Sequence, residues 1–410
     1  MDKHIELCYA IRRTVRFCVF DQKVEKMDLK VTSIPASAFQ EYRHDVIFKA
    51  YKWDLQAGEQ STIGDKVILL EPTDARFLAE TAISLYHETV AMERALKNRP
   101  DLGIFMGISK EMATAIHNCT YEPETHIRLM RFDFHPTESG WAISEVNSDV
   151  AAGYPEASIL PLLAEPFFDG YTRYGDFRKL FADSLKKHVP NGGTIAYLHD
   201  TRIVEDYQIL RFLGDTLERA GYQSVYLSPG HIKWNHNKAI HTDGIVRCFP
   251  VEFLEYTNGV DWISFLNSHT PSCNHPMALL TQSKRLPLVW DQLDIEVSTW
   301  REMLPETVDI AQARQDQGFI LKPAFGRTGE GINIPGTVSE EENREIISAA
   351  HKSPDQWVAQ KRFQSKLFYN MHLCIGAFVI NGQFAGFYGR VSDRLKIDAD
   401  ASDVPVLVRK

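Results

Sequence analysis

Four residues in one short stretch, Arg131, Asp133, Glu145 and Asn147 of RFDFHPTESGWAISEVNSD, have the types and spacing to hold a metal–phosphate complex. Two carboxylates and an amide are the hard oxygen ligands that Mg²⁺ takes together with phosphate oxygens. The stretch reads as two strands around a turn over Pro136 to Gly140. Side chains alternate between the faces of a strand. Met130, Phe132 and Phe134 therefore take one face and Arg131, Asp133 and His135 the other, while Ala142 and Val146 oppose Glu145 and Asn147. In simple register the odd positions of both strands project together, and a face so charged needs solvent or a charged ligand. The competing reading is a solvated face on which Arg131 pairs with Glu145.

A second stretch, GFILKPAFGRTGEGINIPG, reads as strand, glycine-rich loop, strand. Glycines at 326, 329 and 331 can bring backbone N–H groups close to an anion, and Lys322 just upstream adds a point charge. The loop matches neither the Walker A pattern nor Gly-x-Gly-x-x-Gly, and alone it also fits a plain glycine turn beside a surface lysine. Taken together, the two stretches point to a metal–nucleotide site, each supplying what the other lacks.

The chain around them has 410 residues, 44% hydrophobic and 24% charged, enough for a sizeable core and for two or three domains. Its 45 basic and 54 acidic residues leave a net charge of −9, which argues against a broad nucleic-acid footprint. No run approaches the roughly 20 apolar residues of a membrane span, and the opening MDKHIELCYAIRRTVRFCVF lacks the apolar core of a signal peptide. Six scattered cysteines without a C-x-x-C pair suit reduced thiols in a cytoplasmic protein.

There is no internal repeat and no low-complexity linker. Helical spacing over 77–98 and in SKEMATAIHNC predicts a mostly helical first part. From about Gly193 the pattern becomes β-α-β: TIAYLHD, then EDYQILRFLGDTLERAG, then QSVYLSP, which usually means a parallel sheet. GIVRCFP and a helix around Pro276 to Arg285 complete this middle region. Near the C-terminus, CIGAFVINGQFAGFYGRVS predicts a hairpin turning at Asn381-Gly382.

Arg131-x-Asp133 followed by Glu145-x-Asn147 resembles the metal and substrate signature of the glutathionylspermidine synthetase family. KPAFGRTGEGI is similar to that family's Lys-Pro-x-x-Gly-Arg-x-Gly loop, SKRLPLVW to the segment bearing another ATP-facing lysine, and FAGFYGRVSDR with SDVPVLV to its C-terminal hairpin and tail. The resemblance runs from about residue 128 to the C-terminus. It implies an α/β (α+β) fold, a circularly permuted ATP-grasp with an inserted Rossmann-like β-α-β (pre-ATP-grasp) domain. The implied division is 1–170, a helical segment plus the metal hairpin; 171–295, the Rossmann-like domain; and 296–410, the nucleotide-binding segment.

By the same resemblance, Asp133, Glu145 and Asn147 hold Mg²⁺ on the ATP phosphates. Lys284 and Lys322 contact those phosphates, and the loop with Gly326, Arg327, Gly329 and Gly331 closes over them. Gln360 and Lys361 meet the adenine, and Arg131 and Arg390 face the transferred phosphoryl group or the substrate carboxylate. The implied reaction is ATP-dependent amide formation between a small-molecule carboxylate, with glutathione or another peptide as candidates, and an amine, with a polyamine as candidate. Alternatives are an ATP-binding regulatory protein without ligase activity and a ligase acting on a peptide tail. Some family members carry a cysteine amidase domain; Cys8 and Cys18 sit in no matching context, so no amidase activity is expected. His231, His236, His241, His269, Cys273 and His275 lack a zinc spacing and read as a solvated loop. Glu156 reads either as a substrate contact or as a helix N-terminal acid, and Asp393–Arg394 as an exposed ion pair.

Overall fold

The structure, a computed structural model, describes residues 27–53, 56–57, 60–313 and 318–410. Cys8, Cys18 and the rest of the opening twenty residues fall outside that range. The first strand, β1 (Leu29–Ser33), pairs antiparallel with β2 (Lys66–Leu70), and α1 (Ala36–Lys49) lies between them in sequence. The first part is otherwise mostly helical, as the spacing predicts, with further helices over Pro72–Leu96, Pro100–Phe105 and Lys110–Asn118, but it also contributes strands that the spacing does not predict. After Lys66 the segment KVILL is an unbroken apolar run whose period names neither helix nor strand. Its second partner, a strand at the extreme C-terminus, cannot be seen in a local window.

Helix α2 (Pro72–Leu96) starts at a proline in its first turn and buries Ala75, Leu78, Ala82, Leu85, Met92 and Leu96 on one stripe. Strands β3 (Leu129–Thr137) and β4 (Gly140–Asn147) form the acidic hairpin with a turn tighter than expected, Thr137 facing Gly140. Helix α3 (Tyr154–Ala164), the short β5 (Tyr171–Thr172) and α4 (Phe177–Lys186) follow.

Strand β6 (Thr194–Leu198), helix α5 (Val204–Glu218) and β7 (Gln223–Leu227) make a β-α-β unit. With β8 (Gly244–Arg247) and β9 (Ser272–Cys273) they give a parallel sheet of order β9-β8-β6-β7. The helix expected up to Arg285 is a 3₁₀ segment ending at Thr281, because the Lys284 N–H leaves the helical path to bond the Ala324 carbonyl (2.9 Å). A three-stranded antiparallel sheet follows, from β10 (Thr307–Val308), β11 (Phe319–Pro323) and β12 (Trp357–Lys361), with α6 (Glu340–Lys352) between the last two in sequence. INIPG is not a strand. The Leu321 N–H is satisfied instead by the Asn333 side-chain oxygen at 2.6 Å.

The C-terminal hairpin, β13 (His372–Ile380) and β14 (Gln383–Ser392), turns at Asn381 (φ 48°) and Gly382 (φ 77°), the left-handed pair of a two-residue hairpin turn. Strands β15 (Ser402–Val404) and β16 (Val406–Arg409) close the chain, β16 running parallel to β2.

The site is positioned by the five-stranded antiparallel sheet β15-β14-β13-β3-β4, which joins the two hairpins although they lie far apart in sequence. One face carries Phe132, Phe134, Ile375, Ala377 and Phe387 in a core shared with α2. The opposite face buries Leu129, Phe378 and Ile380 in a second core at one end and turns Arg131, Asp133 and Cys374 to a cavity at the other.

Candidate active site

Register brings the polar residues together on that opposite face. Asp133 pairs with Glu145 and Arg131 with Asn147 across the hairpin. On the other side Asp133 pairs with Gly376, Cys374 with Arg390, and Arg390 with Asp403. Beyond Asp133 a bulge leaves Ser144 unpaired and sets Ile143 opposite Phe134, so Ala142 falls on the His135 side instead of the Val146 side. An extra residue on one strand shifts the alternation by one, and nothing in the local sequence marks it.

The Arg131 guanidinium grips Asp133 as a fork, Nε to Oδ1 at 2.7 Å and Nη2 to Oδ2 at 2.9 Å. It also donates to the Ala152 carbonyl and lies 5.0 Å from the centre of the Tyr388 ring. Asn147 Nδ2 donates to Asp133 Oδ2 at 3.0 Å. Arg131 therefore pairs with Asp133, not Glu145. Gly376 makes the room: a Cβ there would sit 2.7 Å from Arg131 Cδ.

Glu145 is answered by Lys284, whose Nζ lies 3.1 Å from its Oε2. Burial pushes the Glu145 carboxyl up, but Lys284, then Lys322 and Arg131, outweigh it and hold it below the usual range. Lys322 donates to Gln360 Oε1 (2.6 Å) and to the Ser144 carbonyl (3.3 Å). Burial pulls its ammonium down to about 8, against the opposing pull of Glu145. His135, between Ser144 and the Leu373 carbonyl, is pulled down to about 4 by burial and is neutral at pH 7.

The glycine loop has positive φ at Thr328 (47°), Gly329 (73°) and Gly331 (67°). Lys284 Nζ also donates to the Gly326 carbonyl at 2.8 Å, tying the loop to the hairpin. Arg327 turns to the far wall, 3.6 Å from Glu252 and stacked on the Phe253 ring at 5.3 Å. Gln360 is buried and donates Nε2 to Thr307 (3.0 Å), while the Lys361 side chain is exposed near Glu306. Ile320, the register partner of Gln360, also lines the cavity, with Ile332 and Ile334. Arg390 donates to the Asp398 carbonyl and lies 3.8 Å from Asp403.

Arg131, Asp133, Glu145, Asn147, Lys284, Lys322, Gly326, Gln360 and Arg390 all line one cavity of about 480 Å³. Its other wall comes from residues just past β6 and β8, among them Ile203, Asp206, Cys248 and Pro250. That is the crevice at the carboxyl ends of parallel strands where α/β sheets take ligands. Lys52, Tyr388 and Asp403 are among the lining residues that the sequence alone did not single out. Lys52 and Asp403 are brought together only by tertiary structure. Glu156 is an acid in the first turn of α3, as one reading has it, and it also lines the cavity, held by Lys52 at 2.6 Å.

His231, His236, His241 and His269 are exposed, but Cys273 and His275 are buried, with His275 packed 4.4 Å from the His126 ring. Arg394 pairs with Asp398 and Asp400 rather than Asp393.

Among the described residues, no group of three or more histidine, cysteine, aspartate or glutamate side chains converges to hold a metal ion by itself. Asp133, Glu145 and Asn147 amount to two carboxylates and an amide. That donor set fits a cation such as Mg²⁺, which keeps water and borrows phosphate oxygens.

Comparison with known proteins adds three findings. The family described as glutathionylspermidine synthase preATP-grasp matches residues 36–409. A glutathione synthetase like-effector from Globodera pallida superposes with a TM-score of 0.57 at 11% identity, covering 90% of this chain and 97% of that one. A putative gamma-glutamylcysteine synthetase from Methylobacillus flagellatus KT gives a TM-score of 0.43 at 12% identity, over 77% of this chain and 86% of that one. No curated protein matches. Family and architecture agree on an ATP-grasp-type fold.

Proposed function

Because the chain belongs to the glutathionylspermidine synthase preATP-grasp family, a family of ATP-dependent amide ligases, we propose that it joins a carboxylate to an amine through an acyl phosphate. The observation that carries this is the single sheet face on which Arg131, Asp133, Glu145 and Asn147 meet Lys284, Lys322 and the glycine loop. A carboxylate is a poor electrophile. Transfer of the γ-phosphoryl group of ATP to one of its oxygens breaks the bond to ADP and makes the carbon open to attack. The amine nitrogen then bonds to that carbon, phosphate leaves with the C–O electron pair, and a proton passes to solvent.

Such a reaction asks the protein to position and neutralise rather than to supply a nucleophile. Asp133, Glu145 and Asn147 are the residues that would hold Mg²⁺, which screens phosphate charge when bound. Lys284 and Lys322 serve the phosphates, Gly326, Gly329 and Gly331 let the loop backbone approach them, and Gln360 with Ile320 borders the base. Lys361 contributes through its backbone. Arg131 and Arg390 face the transferred group and the substrate carboxylate, and Arg327 closes the loop. ADP release from Mg²⁺-ATP, with and without glutathione, amino acids and polyamines, tests this reading. Stimulation by a carboxylate–amine pair, with an amide product found by mass spectrometry, is expected. Tight ATP binding without stimulation by any pair would favour the non-catalytic regulatory reading instead.

A further inference from the structure

The cavity continues past the phosphate side to a second cluster: Lys52, Glu156, Arg390, Tyr388 and Asp403. We propose that this cluster is the subsite for the acceptor amine, and that Lys52 makes it take a zwitterionic α-amino acid head group rather than a polycationic amine. The inference rests on the ligase reading above.

Lys52 is delivered from the end of α1 by a left-handed Tyr51 (φ 57°), and the Trp53 N–H fixes the segment on Gln208 Oε1 (2.6 Å). Its ammonium bridges Glu156 Oε1 (2.6 Å) and Asp403 Oδ2 (2.7 Å). Asp403 Oδ1 accepts the Tyr388 hydroxyl at 2.6 Å. Burial works against the Lys52 charge, but Asp403 and then Glu156 outweigh it, so the group stays an ammonium and is no nucleophile.

Two buried atoms in the cluster have no hydrogen-bond partner: Glu156 Oε2, an acceptor, and Arg390 Nε, a donor. Lys52 uses two of the three donors that an ammonium carries. Buried polar groups are almost always satisfied, and exceptions ask for a reason. What completes this set is a ligand presenting a donor to Glu156 and an acceptor to Lys52 and Arg390. An α-ammonium beside an α-carboxylate does both.

Charge points the same way. Lys52 and Arg390 already balance Glu156 and Asp403, so a polyamine entering here would meet a fixed ammonium in the carboxylate cradle. The feature that favours a polycation is the opposite wall, Glu205 and Asp206. Burial pushes the Asp206 carboxyl up to about 6, and Glu205 is exposed, where solvent screens its charge.

The test measures ADP release with Mg²⁺-ATP and glutathione as carboxylate, comparing L-alanine, L-glutamate and spermidine as amines, for the wild type and Lys52→Met. The wild type should favour an amino acid by about tenfold or more, as polar sites do against ligands that leave their groups unpaired. Lys52→Met should lower kcat/KM for the amino acid, raise it for spermidine and leave the KM for ATP in place. A wild type that favours spermidine, or a variant that changes both amines alike, overturns the proposal.

If Lys52→Met does not fold, the wild-type preference alone decides. If no pair releases ADP, the ligase reading with glutathione fails, and calorimetric titration of ATP-loaded wild type with the same amines still judges the subsite. Amino acid binding without spermidine binding supports it. The reverse, or no binding by either, overturns it.

Discussion

Lys284 Nζ lies 3.1 Å from Glu145 Oε2, so the hairpin carboxylate that would face a metal is already neutralised by a lysine from another segment. The same ammonium holds the Gly326 carbonyl. A cation arriving at Glu145 must compete with Lys284, whereas arriving phosphates attract it. Lys284→Ala should therefore move two affinities in opposite directions. Mn²⁺ or Mg²⁺ alone should bind the variant more tightly than the wild type, and ATP more weakly, both by calorimetry. A parallel loss of both would mean that Lys284 acts only as a structural brace.

Lys322 gives a pH signature. Burial holds its ammonium near 8, so it is charged at pH 7 and loses its proton as pH rises through 8. Bound phosphates favour the charged form and bring the value back up. ATP affinity should then fall between pH 7 and 9, and binding near pH 8.5 should take up a proton, seen as an enthalpy that depends on the buffer's ionisation heat. Lys322→Arg should remove that dependence, because a guanidinium does not titrate there. Buffer-independent enthalpy in the wild type would place Lys322 away from the phosphates.

Gly376 is a steric requirement of the Arg131–Asp133 fork. An added Cβ would lie 2.7 Å from Arg131 Cδ and 3.1 Å from Asp133 Oδ1, and the paired guanidinium cannot swing aside. Gly376→Ala should cost about 1–3 kcal/mol of stability and reduce Mg²⁺-dependent ATP turnover by roughly 10–100-fold, as displaced support of a metal site does. Wild-type turnover in a folded Gly376→Ala protein would show that the fork's position is unimportant.

Asp149 and Arg247 bind the exit of the hairpin to the parallel sheet. Both side chains are 2% exposed, and Asp149 also accepts the Val251 N–H at 2.9 Å. Arg247→Ala would leave a buried carboxylate without its ion partner, which costs about 3–5 kcal/mol. Chemical denaturation should show that loss; a change below about 1 kcal/mol would mean that water reaches Asp149.

The sequence showed the hairpin, the β-α-β unit and the Asn381-Gly382 turn because each is written in local period or turn chemistry. It also showed which residue types face together, since Arg131, Asp133, Glu145 and Asn147 follow from alternation alone. It did not show the bulge at Ser144, which shifted Ala142, because one extra residue leaves no compositional trace. Strand β2 was missed because its two partners lie on either side of it by long separations. For the same reason Lys52, Glu156 and Asp403 could not be seen as one cluster, being joined only when α1, α3 and β15 converge.

The most direct test of the central claim follows oxygen atoms. Glutathione and amino acids carrying oxygen-18 in their carboxylates would be incubated with the protein, unlabelled Mg²⁺-ATP and amines, and the released phosphate analysed by mass spectrometry. If a carboxylate is activated as an acyl phosphate, each phosphate released with an amide carries one oxygen-18 from that carboxylate. Unlabelled phosphate appearing alongside ADP would mean that water, not a carboxylate, takes the phosphoryl group, and would contradict the ligase assignment.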